Sequence, residues 1–99
     1  MTNIQKKLSD IIQTLQEVPE IQRIYLFGSR ARGDAQSRSD IDIAIETKEP
    51  ITLRKQRHIK EIAEERSGLY TLDIVFLESC NEKLHTVIKE QGIKLYEKE

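Results

Sequence analysis

Apolar residues near the start of the chain recur at steps of three and four: Ile4, Leu8, Ile11, Ile12, Leu15 and Val18. They trace one face of an amphipathic helix, predicted over residues 2–17. Pro19 closes it, because the residue before a proline is pushed out of helical dihedrals. The period then changes. Ile24-Tyr25-Leu26-Phe27 is short and continuously apolar, the pattern of an inner strand buried on both faces. It stops at Gly28-Ser29, where glycine permits a turn and the close approach of a ligand to the backbone. A short helix is predicted over residues 29–33 and a surface loop over 34–39, where Ala35 is the one apolar residue. From Asp40 to Glu46 the chain alternates, with Ile41, Ile43 and Ile45 on a dry face. Asp40, Asp42, Ala44 and Glu46 fall on the other, an acidic face.

Lys48-Glu49-Pro50 reads as a turn, and Thr52 as the N-cap of a helix over residues 53–66 with Leu53, Ile59, Ile62 and Ala63 inward. Gly68 ends that helix. Leu69–Leu77 is a third strand that puts Thr71, Asp73, Val75 and Leu77 on one face. A carboxylate inside so apolar a run is costly unless it is partnered. Ser79-Cys80-Asn81-Glu82 has the S-x-x-E form of a capping box. A helix with Leu84, Val87 and Ile88 inward follows and ends at Gly92; Ile93–Tyr96 adds a short last strand. The expectation is an α/β (α+β) chain: a small mixed β-sheet flanked by helices, in one domain over residues 1–99. The first two strands are too close for a crossover helix, so they are predicted to pair antiparallel or in a mixed sheet.

Composition narrows the classes. The chain of 99 residues has room for one core. Its net charge of −1 and mixed-sign surface lack the basic excess of a nucleic-acid binder, and the absence of Trp argues against a base-stacking platform. One cysteine, Cys80, cannot form an internal disulfide, which fits a reducing, cytoplasmic setting. No apolar run approaches the ~20 residues of a membrane helix, and the polar start lacks a signal-peptide core.

Asp40 and Asp42 are the first chemical candidates. Two residues along a strand span about 6.5–7 Å with both side chains on one face. Carboxylates so placed can converge on a divalent cation such as Mg²⁺, which takes few protein ligands and fills its other positions with water and phosphate oxygens. Asp73 is a third candidate, from another strand. Three carboxylates, one of them shared, would serve two ions that activate an attacking oxygen and stabilise a leaving one. On its own, D-x-D also describes a solvent-facing strand edge, and Gly28-Ser29 also describes a plain tight turn. The functional reading of the turn is a phosphate cradle made of backbone N–H groups and the Ser29 hydroxyl. Arg30 and Arg32 can neutralise phosphate charge, Ser39 joins the nucleotide-binding candidates, and Arg38 reads as a solvated loop residue. Neither G-x-x-x-x-G-K-[ST] nor G-x-G-x-x-G is present. His58, His85 and Cys80 have no metal-ligand spacing and read as structural or surface residues.

Gly28-Ser29, ten residues, then Asp40-x-Asp42 resembles the signature of the DNA polymerase β-like nucleotidyltransferase superfamily. The fuller string GSRARG…SDIDIAI is similar to its minimal nucleotidyltransferase (MNT) branch, of the antitoxin type, and LYTLDIVFLE falls at that family's third acidic strand. The resemblance implies that Gly28 and Ser29 hold the β/γ phosphates and that Asp40 and Asp42 bind Mg²⁺. It implies that Asp73 helps bind the second ion and acts as general base. It further implies transfer of a nucleoside monophosphate, AMP from ATP, to a hydroxyl with release of pyrophosphate. The expected partner is a HEPN-domain protein, an RNase toxin adenylylated in some pairs on a tyrosine. So small a chain offers little surface for its acceptor, so a partner is expected to complete that side. The alternative is a nucleotide-binding module that neutralises a HEPN partner by contact alone; a third reading is transfer to a small molecule or an RNA end.

Overall fold

The computed structural model describes residues 3–36 and 39–99, the side chain of Asn3 excepted. The elements run α1 (Asn3–Leu15), β1 (Ile21–Phe27), α2 (Ser29–Arg32), β2 (Ile41–Thr47), α3 (Leu53–Ser67), β3 (Leu72–Phe76), α4 (Glu82–Gln91) and β4 (Ile93–Glu97). One four-stranded sheet has the order β3-β2-β1-β4. Strand β1 pairs antiparallel with β2 and with β4, while β2 and β3 are parallel and joined through α3. The mixed sheet and the antiparallel first pair match the expectation from chain spacing.

The strands divide their side chains between two packed faces because successive residues point opposite ways. On one face Ile24, Leu26, Ile41, Ile43, Ile45, Leu72 and Phe76 meet Ile11 and Leu15 of α1 and Ile59 and Ala63 of α3. On the other, Tyr25, Ala44 and Leu77 pack against Ile88 of α4, with Phe27, Val75 and Leu84 around them. The face of β2 expected to be acidic is therefore split. Ala44 is fully buried under α4, and Glu46 is engaged by Arg23 at 2.9 Å and Lys89 at 3.1 Å. Asp40 and Asp42 lie at the other end of the strand.

Several boundaries differ from the sequence reading, each for a local reason. Helix α1 stops at Leu15, well before Pro19: the Val18 N–H bonds the Leu15 carbonyl at 3.0 Å, a three-residue turn that drops Val18 into the core. The predicted start of that helix, Thr2, lies outside the described residues, as does Arg38. Leu53 is 77% exposed. At about 100° per residue it lies some 240° round the helix from Ile59, off the stripe shared by Ile59, Ile62 and Ala63. Thr52 does cap α3, its hydroxyl accepting the Lys55 N–H at 3.0 Å. The cap of α4 is Asn81, whose side chain accepts the Leu84 N–H at 2.8 Å, and not Ser79 as the S-x-x-E pattern suggested. Ser79 instead accepts from Gln56 at 3.1 Å. Strand β3 begins at Leu72, and Leu69 stands fully exposed in the turn that follows Gly68, where φ is 64°. Among the described residues no helix is long and apolar enough to cross a membrane.

Candidate functional site

The site lies where three chain segments reach the same end of the sheet. Strand β1 ends at Phe27, and β2 and β3 both begin there. Register pairs Phe27 with Asp42 on one side of β2 and Asp42 with Asp73 on the other. Adjacent strands are about 4.8 Å apart, so Asp42 and Asp73 stand side by side on the face that α4 covers farther along. Asp40 sits just before the first residue of β2 and is exposed. Asp73 is exposed too, because β3 is an edge strand. The desolvation expected of a carboxylate in an apolar run does not arise.

Asp42 is the half-buried member. Burial pushes its carboxyl above the ordinary range, and the charges of Asp73 and Asp40 push it the same way, while Arg32 and Arg30 pull it back. A carboxyl raised by its acidic neighbours marks a site short of positive charge. Among the described residues no three His, Cys, Asp or Glu side chains close a metal cage. The donor chemistry nonetheless fits a hard cation of the Mg²⁺ type, which is held through one or two carboxylates while water and phosphate oxygens complete its octahedron.

Gly28 and Asp42 are matched to one another. Gly28 has φ 75° and ψ −156°, a region open essentially only to glycine. A β-carbon there would collide with Oδ2 of Asp42 and lie 3.1 Å from its Cγ and 3.3 Å from its Cβ. The backbone of the turn thus comes directly against the acidic side chain. Helix α2 follows: Ala31 and Arg32 both donate their N–H to the Gly28 carbonyl at 3.1 Å. Gly33, with φ 84°, ends it in the left-handed conformation.

The candidate nucleotide-binding residues separate. Ser29 opens α2 at the turn. Arg32 is exposed and paired with Asp34 at 3.3 Å. Arg30 turns inward: its guanidinium donates to the Ser39 carbonyl at 2.7 Å and lies 5.3 Å from the centre of the Tyr70 ring. The Ser39 hydroxyl accepts the Gln36 N–H at 2.9 Å, so both its side chain and its carbonyl are engaged in holding the loop. Tyr70 did not emerge from the sequence as a site residue, because reading Leu69–Leu77 as one strand absorbed it into a sheet. No spacing signal distinguishes it. His58 is exposed on α3, and Cys80 packs at the edge of the α4 core, in line with structural or surface roles.

Known proteins resemble this chain in sequence and fold. The family described as Polymerase beta, Nucleotidyltransferase matches residues 9–99. A Haemophilus influenzae protein named "Probable protein adenylyltransferase MntA" is 27% identical over 94 residues, covering 95% of this chain and 82% of that one. A chain in the crystal structure of a toxin–antitoxin with AMP-PNP superposes with a TM-score of 0.74 at 29% identity, covering 92% of this chain and 73% of that one. A chain from a tri-AMPylated Shewanella oneidensis HEPN toxin in complex with MNT antitoxin superposes with a TM-score of 0.74 at 26% identity, covering 95% and 72%. With a family match over nearly all its length, and the Gly-Ser turn brought against paired aspartates at one end of a mixed sheet, this chain belongs to the polymerase beta nucleotidyltransferase family.

Proposed function

We propose that this protein is a Mg²⁺-dependent adenylyltransferase that moves AMP from ATP to a hydroxyl of a HEPN-domain partner and so serves as the antitoxin of a toxin–antitoxin pair. The observation that carries the reading is the direct register of Asp42 with Asp73 beside the Gly28-Ser29 turn. Similarity to an adenylyltransferase and to chains of toxin–antitoxin complexes supports it.

In this reading Ser29 and the first backbone N–H groups of the turn hold the outer phosphates. The N–H groups of Ala31 and Arg32 are committed to Gly28, which confines the cradle to the start of the turn. The absent β-carbon at Gly28 lets the phosphates approach Asp42. Asp40 and Asp42 would hold one Mg²⁺, and Asp42 with Asp73 a second; the chemistry supplied there would be positive charge against the triphosphate and against the attacking and leaving oxygens. Asp73, exposed on the edge strand, is open to an acceptor and takes the proton of its hydroxyl. The hydroxyl oxygen forms the new bond to the α-phosphorus, the bond from that phosphorus to the bridging oxygen breaks, and pyrophosphate leaves. Arg32 adds positive charge near Asp42. The protein's work is positioning and charge neutralisation, as this chemistry requires.

The test is transfer of label from each α-labelled NTP to the HEPN-domain partner in Mg²⁺. Label from ATP on the partner, lost in Asp42→Ala, is the expected result. Tight complex formation with no label from any NTP would replace this reading with neutralisation by contact.

A further inference from the structure

Arg30 is an arginine in a loop-and-helix segment next to a triphosphate site, and charge alone would make it a phosphate ligand. Its contacts point to another task. It leaves α2 and reaches two other segments at once, the Ser39 carbonyl at 2.7 Å and the face of Tyr70 at 5.3 Å. Ser39 is the residue before Asp40, and Tyr70 stands three before Asp73. Between those two contacts, the Ile41 N–H donates to the Thr71 carbonyl at 2.8 Å, the bond that closes β2 onto β3 at the acidic end. A planar guanidinium suits this double task, since its edge donates while its face stacks on a ring.

We propose that Arg30 is a positioning residue: with Tyr70 and the Ser39 carbonyl it clamps the entries of β2 and β3, and so sets where Asp40, Asp42 and Asp73 stand relative to one another. This rests on the adenylyl-transfer reading of the site. Strand β3 is an edge strand whose one sheet neighbour is β2. Asp40 precedes its strand and lacks a ladder of its own. Asp40 therefore depends on contacts outside the sheet for its placement, Asp73 is held by the single ladder to β2, and Arg30 touches the segment leading into each. Misplacing reacting groups by about 1 Å costs on the order of 100-fold in rate.

The experiment compares Arg30→Ala, Tyr70→Ala, their double variant and Tyr70→Phe in the transfer assay, with amide hydrogen exchange at Ile41 alongside. The clamp predicts that Arg30→Ala and Tyr70→Ala each lower kcat by roughly 10- to 100-fold, and that any change in KM for ATP is the same in both. The double variant should fall no further than the single ones, because both belong to one unit. Tyr70→Phe keeps the ring face and should act like the parent. A raised KM for ATP in Arg30→Ala, with Tyr70→Ala like the parent, would overturn the clamp and make Arg30 a phosphate ligand. Should the parent transfer nothing, adenylyl transfer fails as a function, and exchange decides the clamp by itself. Faster exchange of the Ile41 amide in both alanine variants supports it, and unchanged exchange overturns it.

Discussion

Gly28→Ala tests the closest contact in the site. Two effects add. The alanine must hold φ 75° and ψ −156°, which costs on the order of 1–3 kcal/mol for a residue with a β-carbon. That β-carbon also drives into the Asp42 carboxylate. Rotating the carboxylate away does not relieve the crowding, because Cβ of Asp42 is itself only 3.3 Å off and is fixed by the strand. Overpacking of this kind costs about 1–3 kcal/mol. A total of about 3 kcal/mol, at roughly 4–8 °C per kcal/mol for a domain of this size, lowers Tm by about 12–24 °C. The partition is measurable by urea denaturation of Gly28→Ala in the parent and in Asp42→Ala, where the carboxylate is gone. The backbone share and the tight contact with the β-carbon at position 42 remain there, so the glycine substitution should cost about 1 kcal/mol less. Transfer of label should be lost in Gly28→Ala even at a temperature where the variant is folded, since Asp42 is displaced. A Gly28→Ala protein with the parent's Tm and transfer rate would refute the claim that this turn is held open for Asp42.

Three further outcomes follow from the same structure. Asp42→Asn should abolish transfer yet raise stability at neutral pH. The folded carboxyl titrates above its ordinary 3.8, so its contribution is full below that value and is lost as pH rises through the folded pKa; the amide escapes that loss, and a pH series of urea midpoints should show the variant gaining on the parent as pH rises from about 4. Asn81→Ala should cost about 1 kcal/mol by loss of the α4 cap, while Ser79→Ala stays within about 0.5 kcal/mol; equal costs in thermal melts would contradict the capping assigned here. Ile43→Ala, at a fully buried position in the middle of β2, should cost about 2–5 kcal/mol by urea denaturation, and a smaller loss would mean a core looser than the one described.

Much was legible from the chain alone. The three-and-four spacing from Ile4 to Leu15, the apolar run ending at Phe27 and the alternation through Ile41, Ile43 and Ile45 determined which segments are helix and strand, because side-chain periodicity is a local property. The same alternation put Asp40 and Asp42 on one face, and Gly28 marked the turn before them. What escaped depended on partners distant in sequence. Nothing local indicates that α4 buries Ala44 while leaving Asp42 open, or that Asn81 rather than Ser79 begins that helix. That Asp73 stands beside Asp42 follows from the parallel register of β2 and β3, which is decided by packing α3 under both strands. The inward turn of Arg30 onto Ser39 and Tyr70 arises only once the loop and the α3–β3 turn meet. Local pattern determined the elements and the identities of the acids; the pairing of strands, being a long-range contact reached only by burying both sheet faces, decided that Asp42 and Asp73 stand side by side.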